Sequence, residues 1–365
     1  VNESILSSAL LGWFSAHGRD LPWRRTYDPY HVWISEIMAQ QTQMSRAVSF
    51  FERWVERFPS ICDVARADED SVLKQWEGLG YYSRARNIRK AARLICEQHE
   101  GVFPRDFQDI LSLPGVGEYT AGAIASIAFN LQYPCVDANV KRVFSRLFDL
   151  DFSFKSSALH KAVARLMREH MPEGRAREFN QAVMEFGQLV CSKRPDCSLC
   201  PICEHCRAFS RDTVLFRPVM EEAVKPMRID MASGFLLHEG KVLIQKRRAD
   251  DVWPGLWEFP GGVIEKRETP EQAVVREYRE EVALAVRPVE KIGVVRFCYT
   301  RYRVTLHGFL CELANGDSWE PVFHEAQEGG FVAPVDLGEF AFPSGHRKLL
   351  ETMRADVRYS SLFLK

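Results

Sequence analysis

The sequence predicts a multidomain chain, an all-α domain followed by a smaller α+β domain. Three observations predict it. The chain has 365 residues, and at roughly 100–200 residues per domain that length implies two or three domains. Apolar residues recur at helical spacing almost throughout residues 1–208, and the period changes to strand-like runs from about residue 229. Between them, residues 209–228 hold two prolines, mixed charge and no sustained period, which reads as a linker.

Asp28-Pro29 is a helix cap followed by a first-turn proline. Val32, Trp33, Ile34, Ile37 and Met38 continue it at helical spacing. Phe50, Phe51, Trp54, Val55 and Phe58 form a second apolar helix face, and Leu159, Val163, Leu166 and Met167 a third. Beyond the linker, Ala232–Leu237 and Lys241–Gln245 read as strands joined by a turn at Glu239-Gly240. Val294–Leu310 holds two more strand-like runs, and Pro270–Val282 is helical. Strands with one interposed helix describe an α+β domain over 229–365.

Composition limits the function classes. Hydrophobic residues make up 46% and charged residues 27%, which excludes a disordered chain. Lys+Arg total 48 against Asp+Glu 49, a net charge of −1, so any nucleic-acid contact must come from local patches. Apolar runs stop well short of the ~18 residues a membrane helix needs. The first residues lack a basic region followed by an apolar core, so no secretory signal is expected. Of ten cysteines, five lie between Cys191 and Cys206. Such clustering reads as a metal site in a reducing compartment rather than a disulfide framework. The scattered Cys62, Cys96, Cys135, Cys298 and Cys311 are expected to be buried apolar residues.

Five constellations could carry chemistry. Leu113-Pro114-Gly115-Val116-Gly117 precedes a helix from Glu118. Gly115 and Gly117 allow close backbone approach, and the helix offers free N–H groups to an anion, as in a helix-hairpin-helix seated on a DNA phosphate. An ordinary glycine turn between packed helices is the plainer reading. Asp137 precedes a helix with Val140, Val143, Phe144 and Leu147 on its buried face, which makes it an N-cap. Glu36 stands among Val32, Trp33 and Ile37, and partial desolvation there raises its pKa and keeps a proton available for acid catalysis. A solvated helix face is the commoner setting for such a glutamate. The polar run Gln40–Gln43 beyond it is unusual for the end of a core helix. Cys191, Cys197, Cys200, Cys203 and Cys206 have gaps that suit zinc or an iron–sulfur cluster, and spacing alone does not choose between them. Glu277, Glu280 and Glu281 fall on one helical arc behind Gly262 and Glu268. Three carboxylates there suit Mg²⁺ or Mn²⁺, against a plain acidic helix face. A basic run, Arg84, Arg86, Arg89, Lys90 and Arg93, could neutralise phosphates, but a solvated helix face accounts for it more simply.

Together these residues resemble the MutY-type adenine DNA glycosylases over nearly the whole chain. The matching pieces are Val32–Gln43, Leu113–Ala121, Val136–Arg142, Phe179-Asn180-Gln181-Ala182, the cysteine group and the second domain. The resemblance implies a helix-hairpin-helix glycosylase domain with an iron–sulfur cluster loop over 1–208, then a Nudix-like domain over 229–365 that recognises 8-oxoguanine. The partner is duplex DNA containing adenine opposite 8-oxoguanine, the protein a monomer, cytoplasmic and nucleoid-associated, with no membrane contact. The adenine must be flipped from the stack. By resemblance Glu36 is the acid that protonates adenine N7 and afterwards the base that activates water. Asp137 stabilises the oxocarbenium ion, as in the two-carboxylate glycosidases. Tyr119 and Asn139 position these groups, Arg24 and Gln181 match adenine-pocket positions, and Gln41 and Tyr81 match residues that wedge into the duplex. The endonuclease III branch carries a lysine where Tyr119 stands here, so a monofunctional enzyme without lyase chemistry is implied.

Two departures from the family stand out. Five residues separate Cys191 from Cys197 where six are usual. A 4Fe–4S cluster on Cys191, Cys197, Cys200 and Cys206 is expected, with Cys203 as an alternative ligand. In the second domain Ala283 replaces a glycine of the hydrolase motif, and the family's Phe-Ser-His loop is Tyr299-Thr300-Arg301, with a hydroxyl kept at Thr300. Lesion recognition is expected, with hydrolysis of an oxidised nucleotide at a Mg²⁺ or Mn²⁺ site as the alternative. Competing readings are an endonuclease III-type glycosylase/lyase, a DNA-binding scaffold with a structural cluster, and a nucleotide-pool hydrolase fused to a DNA-binding module.

Overall fold

The computed structural model describes residues 5–222, 225–314 and 319–364. The chain folds into two compact units that interleave in sequence. The first is Val1–Arg66 with Asn87–Ala223, and the second is Ala67–Arg86 with Val224–Lys365. The helices in chain order are α1 (Ile5–His17), α2 (Pro29–Ala39), α3 (Met44–Arg57), α4 (Ile61–Arg66), α5 (Glu69–Trp76), α6 (Ser83–Gln98), α7 (Phe107–Ser112), α8 (Glu118–Ile127), α9 (Ala138–Leu147), α10 (Ser157–His170), α11 (Ala176–Leu189) and α12 (Arg207–Ser210). Among the described residues, no helix is long and apolar enough to cross a membrane.

The first unit is all-α, as the periodicity predicts. Its core joins α1, α9, α10 and α11 through Leu10, Val143, Phe144, Val163, Met167, Phe179 and Phe186. Asp28 caps α2 by accepting the N–H groups of Tyr30 (2.9 Å) and His31 (3.1 Å), with Pro29 in the first turn. Such a cap is worth about 1 kcal/mol. α2 buries Val32, Trp33, Ile34 and Met38 completely. The Tyr30 hydroxyl then fixes α3, donating to Phe58 O (2.7 Å) and accepting from Trp54 Nε1 (2.9 Å). On α3 the expected face is narrower than its apolar residues suggest. Phe51 and Trp54 are buried, whereas half-buried Phe50 carries the Arg53 guanidinium 4.3 Å from its ring centroid.

The second unit is a mixed sheet between two helices. Its strands are β1 (Met227–His238), β2 (Lys241–Arg247), β3 (Trp257–Glu258), β4 (Gly261–Val263), β5 (Val286–Tyr299), β6 (Tyr302–Leu313) and β7 (Ala326–Val332), and its helices α13 (Pro270–Val282) and α14 (Ser344–Ala355). The order is β3-β2-β1-β6-β5, with β4 on β1 and β7 on β2. β1 and β6 run parallel, and every other pair is antiparallel. Strand alternation divides β1 between two cores. Ala232 and Leu236 meet Val274, Tyr278 and Val282 of α13, while Phe235 meets Leu349, Leu350 and Met353 of α14. The expected turn sits at Glu239 (φ +48°) and Gly240 (φ +74°), and β5–β6 turns at Thr300 (φ +49°). α13 begins at a capping box between Thr269 and Gln272.

α5 and the loop behind it belong to this second unit. Asp70 pairs with Lys246 Nζ (2.9 Å), and Glu77 accepts from Arg347 Nε (2.7 Å) and Phe342 N (3.0 Å). The Tyr82 hydroxyl donates to Phe342 O (3.2 Å).

The scattered cysteines correct one expectation. Cys135 and Cys311 are buried, but Cys62 and Cys96 are half-buried and Cys298 is exposed. Cys298 alternates outward on β5, where an apolar residue type does not decide which face it takes.

Candidate active site

Four elements of the first unit bring their ends to one cavity of about 720 Å³. α2 supplies Glu36. The hairpin between α7 and α8 supplies Tyr119: Gly115 takes φ +79°, where an added Cβ would fall 2.7 Å from the Asn87 Cβ. Gly117 ends the turn as the N-cap of α8, with nothing within 4 Å of where a Cβ would stand. Its face is therefore open to a ligand. Asp137 caps α9, accepting from Val140 N (2.7 Å). α11 supplies Gln181 and Glu185.

The two carboxyl groups occupy unlike surroundings. Tyr119 Oη donates to Glu36 Oε2 at 3.0 Å. Burial pushes the Glu36 pKa up to about 7; the Tyr119 hydroxyl and Arg24 pull it down, and Asp137 raises it further. Burial also raises Asp137, against N–H donors from Val140 and Asn139 and the charge of Arg142. The Asn139 amide gives Asp137 Oδ2 a 2.7 Å bond and is itself held by Arg142 Nη2 (2.9 Å). Two neighbouring carboxyls share their protons unequally. Glu36 receives one phenol, whereas Asp137 receives a backbone and an amide N–H. The proton therefore belongs on Glu36 and the negative charge on Asp137. Burial and both carboxylates push the Tyr119 hydroxyl well above its usual range, so it stays a donor.

Arg24 lines the same cavity, 2.5 Å from Glu185 Oε2. Burial raises the Glu185 carboxyl, but Arg24 and Arg19 overcome it and hold it below the usual carboxylate range. Arg19 binds it through backbone N (2.7 Å) and Nε (2.9 Å). Sequence reasoning does not single out Glu185 and Arg19; the available signal is Glu185 standing four residues after Gln181, on the same buried face of α11 as Phe179, Ala182, Val183 and Phe186. Gln181 is buried, its amide N–H directed to Arg177 O (3.1 Å). Asn180 shapes the site indirectly, accepting from Cys135 N (2.9 Å) two residues before Asp137. Gln41, exposed and at φ +56°, lines the rim with Gln40, Thr42 and Gln43.

Tyr81 and Thr300 lie in the second unit. Tyr81 is 40% exposed at φ +48°, after Gly80 at φ +72°. The Arg84 guanidinium stacks over Trp76 and Tyr81 and donates to Leu79 O and Gly80 O. Burial lowers its pKa to about 10. Arg86 bonds Pro254 O and Arg93 bonds Ala65 O, so part of the basic run serves packing.

All five clustered cysteines line one apolar pocket with Val143, Leu147, Phe186 and Ile202, which leaves Cys203 undistinguished from the rest. Buried Arg146 ties their loop to α9. It donates to Ser192 O, Lys193 O, Val214 O and Cys191 Sγ (3.4 Å). Their sulfurs are soft donors of the kind that suits a thiolate-held group, and a guanidinium bonds one of them, but among the described residues no three of these side chains converge at metal-ligating distance.

The acidic helix face does not converge. Arg276 grips Glu268 at 2.9 and 3.0 Å and reaches Glu277 and Glu280, each at 2.9 Å. Glu281 turns inward, accepting from Gln245 Nε2 (3.0 Å) and Gly261 N (2.9 Å). Burial and the neighbouring Glu258 push its pKa to about 9. Helical spacing set these residues on one arc, but depth divides them.

Residues 34–171 match the family model for an HhH-GPD superfamily base excision DNA repair protein, and residues 232–352 match that for a NUDIX domain. The chain is 35% identical over 264 residues to the adenine DNA glycosylase of Buchnera aphidicola subsp. Acyrthosiphon pisum (strain APS), covering 71% of this chain and 75% of that one. To the Mus musculus adenine DNA glycosylase it is 41% identical over 314 residues, covering 72% and 61%. Among solved structures, a thermostable thymine-DNA glycosylase aligns at 30% identity and a TM-score of 0.53, covering 57% of this chain and 96% of that chain.

Proposed function

This chain belongs to the adenine DNA glycosylases, and from that premise we propose that it removes adenine standing opposite 8-oxoguanine or guanine in duplex DNA without cutting the strand. The observation that carries the reading is the pairing, in one cavity, of Glu36 with a pKa near 7 and Asp137 held by N–H donors.

Adenine inside a duplex must swing out to be reached, and the hairpin glycines offer backbone N–H groups to a phosphate of the strand. Glycosidic cleavage needs a proton on the leaving base and a negative charge beside the sugar. Glu36 gives its proton to adenine N7, and the bond to C1′ breaks with both electrons leaving on the base. Asp137 stabilises the oxocarbenium ion. Glu36, now ionised, takes a proton from the water that attacks C1′ and is restored. Tyr119 orients Glu36, and Asn139 orients Asp137. Arg24 and Gln181 serve the adenine pocket, Gln41 and Tyr81 the opened duplex. Strand cleavage by Schiff base requires an amine, and among the described residues the cavity lining contains no lysine.

Cys191, Cys197, Cys200 and Cys206 would hold a 4Fe–4S cluster, which when bound cross-links the loop beyond α11. Cys197→Ser is expected to remove visible absorbance and bound iron and to abolish duplex binding. Iron and colour unchanged from the parent would overturn that ligand assignment. Thr300, at the β5–β6 turn, is the hydroxyl available to 8-oxoguanine.

The defining experiment is single-turnover incubation with duplex carrying adenine opposite 8-oxoguanine. Free adenine should appear, with strand breaks only after alkali. Breaks without alkali would make the enzyme a lyase, and no base release would refute the proposal.

A further inference from the structure

On the α13 side of the second unit's sheet, further along the strands than the packed Ala232 and Phe309, lies a group of cations that the active site does not use. On β1, β6 and β5 the register aligns Arg228 with Arg303 and Cys298, and two residues further Asp230 with Thr305 and Arg296. Between those rows Val304 is buried, and beyond them Leu306, so the rows themselves face outward. Arg228, Arg296 and Arg303 are exposed and line a depression of about 510 Å³.

Like charges directly opposed on neighbouring strands are destabilising, yet Arg228 stands opposite Arg303. Elsewhere the same sheet pairs its charges: Arg287 lies opposite Glu312 with a 2.9 Å ion pair. Among the described residues none of the three arginines has an ion-pair partner, and Asp230 is the one acid in the lining. A chain of net charge −1 thus concentrates unpaired guanidinium groups on one sheet face. The Thr300–Arg301 turn follows in the next row, where Tyr299 pairs with Tyr302.

We propose that this face is a second DNA-backbone surface, on which Arg228, Arg303 and Arg296 bind phosphates beside the β5–β6 turn. Guanidinium suits phosphate because its fork donates two parallel N–H bonds. The surface reads charge and carries no base specificity. The inference rests on the chain acting on DNA, not on which base it removes.

The test is duplex binding by the full chain across a salt series, using DNA without any lesion. Each phosphate contact adds about 0.9 to the slope of log affinity against log salt. Arg228→Ala/Arg296→Ala/Arg303→Ala should flatten the slope by roughly two to three and weaken damaged and undamaged duplex alike. The single-turnover rate at saturating enzyme should stay within about twofold of the parent, because these residues lie outside the catalytic cavity. The triple Arg→Lys variant should keep the slope, and Arg303→Glu alone should weaken binding if the triple alanine variant does not fold. An unchanged slope in folded variants overturns the proposal. So does a loss confined to phosphatidylglycerol vesicles with duplex binding intact. A parent that shows this arginine-dependent slope but releases no adenine would keep the surface and lose the adenine reading.

Discussion

Glu36→Gln should stop adenine release while leaving DNA binding and fold intact. Glutamine keeps the volume and still accepts from the Tyr119 hydroxyl, but it has no proton to give. General acid catalysis is worth about 10²–10⁴-fold, and the same group later activates water, so a loss of at least about a thousandfold is expected. In the parent, the single-turnover rate should be level on the acid side and fall about tenfold per pH unit above about 7, as the acid ionises. A stability measurement separates chemistry from packing. Unfolded Glu36 ionises near 4.5 and folded Glu36 near 7. The folded state therefore holds the proton more tightly. That contribution is complete below about pH 4.5 and is lost as pH rises through 7, a change on the order of 3 kcal/mol. Glutamine, neutral throughout, avoids the loss. Glu36→Gln should accordingly melt higher than the parent at pH 8 and match it at pH 4. Equal melting at both pH values, with undiminished adenine release, would remove Glu36 from the mechanism.

Asp137→Asn divides the two roles that this position combines. Asparagine caps helices about as well as aspartate, so the bond to Val140 N and the start of α9 should survive. Thermal stability near pH 7 should change by less than about 1 kcal/mol, or rise slightly as a buried charge disappears. Only the charge opposing the oxocarbenium ion is lost. Because electrostatic stabilisation of a transition state is commonly its largest single contribution, base release should fall at least about a thousandfold, with duplex affinity preserved. Asp137→Ala should lose both, with a lower melting temperature. If Asp137→Asn releases adenine at the parental rate, Asp137 is only a cap.

Local signals carried most of the first unit and the candidate pair Glu36 and Asp137. Asp28-Pro29 fixes where α2 begins and hence where Glu36 points, and the apolar face of α9 makes Asp137 its cap. α13 was legible to the residue because its capping box, first-turn proline and apolar spacing agree. What the sequence withheld depends on depth and on distant partners. Glu277, Glu280 and Glu281 share an arc, yet Glu281 points at Gln245 and Gly261 while Arg276 gathers the others. Arg146 looks like an ordinary last-turn cation on a string, and only folding buries it beneath the cysteine loop. Glu185 is likewise revealed by Arg19 and Arg24, some 160 residues away in the chain. Cys298 and the arginines of β1, β6 and β5 face solvent because of register, which composition does not encode.

The route of the chain through α5 limits how such a protein can be dissected or assembled. Residues 67–86 are folded into the second unit but are flanked on both sides by the first, so the connection between units is made three times. A fragment starting near residue 225 would lack Glu77, the carboxylate that holds Arg347, and Leu73, which lies against Gly255. The C-terminal half is therefore no detachable cassette: a hybrid exchanging it between relatives must carry this twenty-residue graft from the middle of its host, or leave both pieces with mismatched seams.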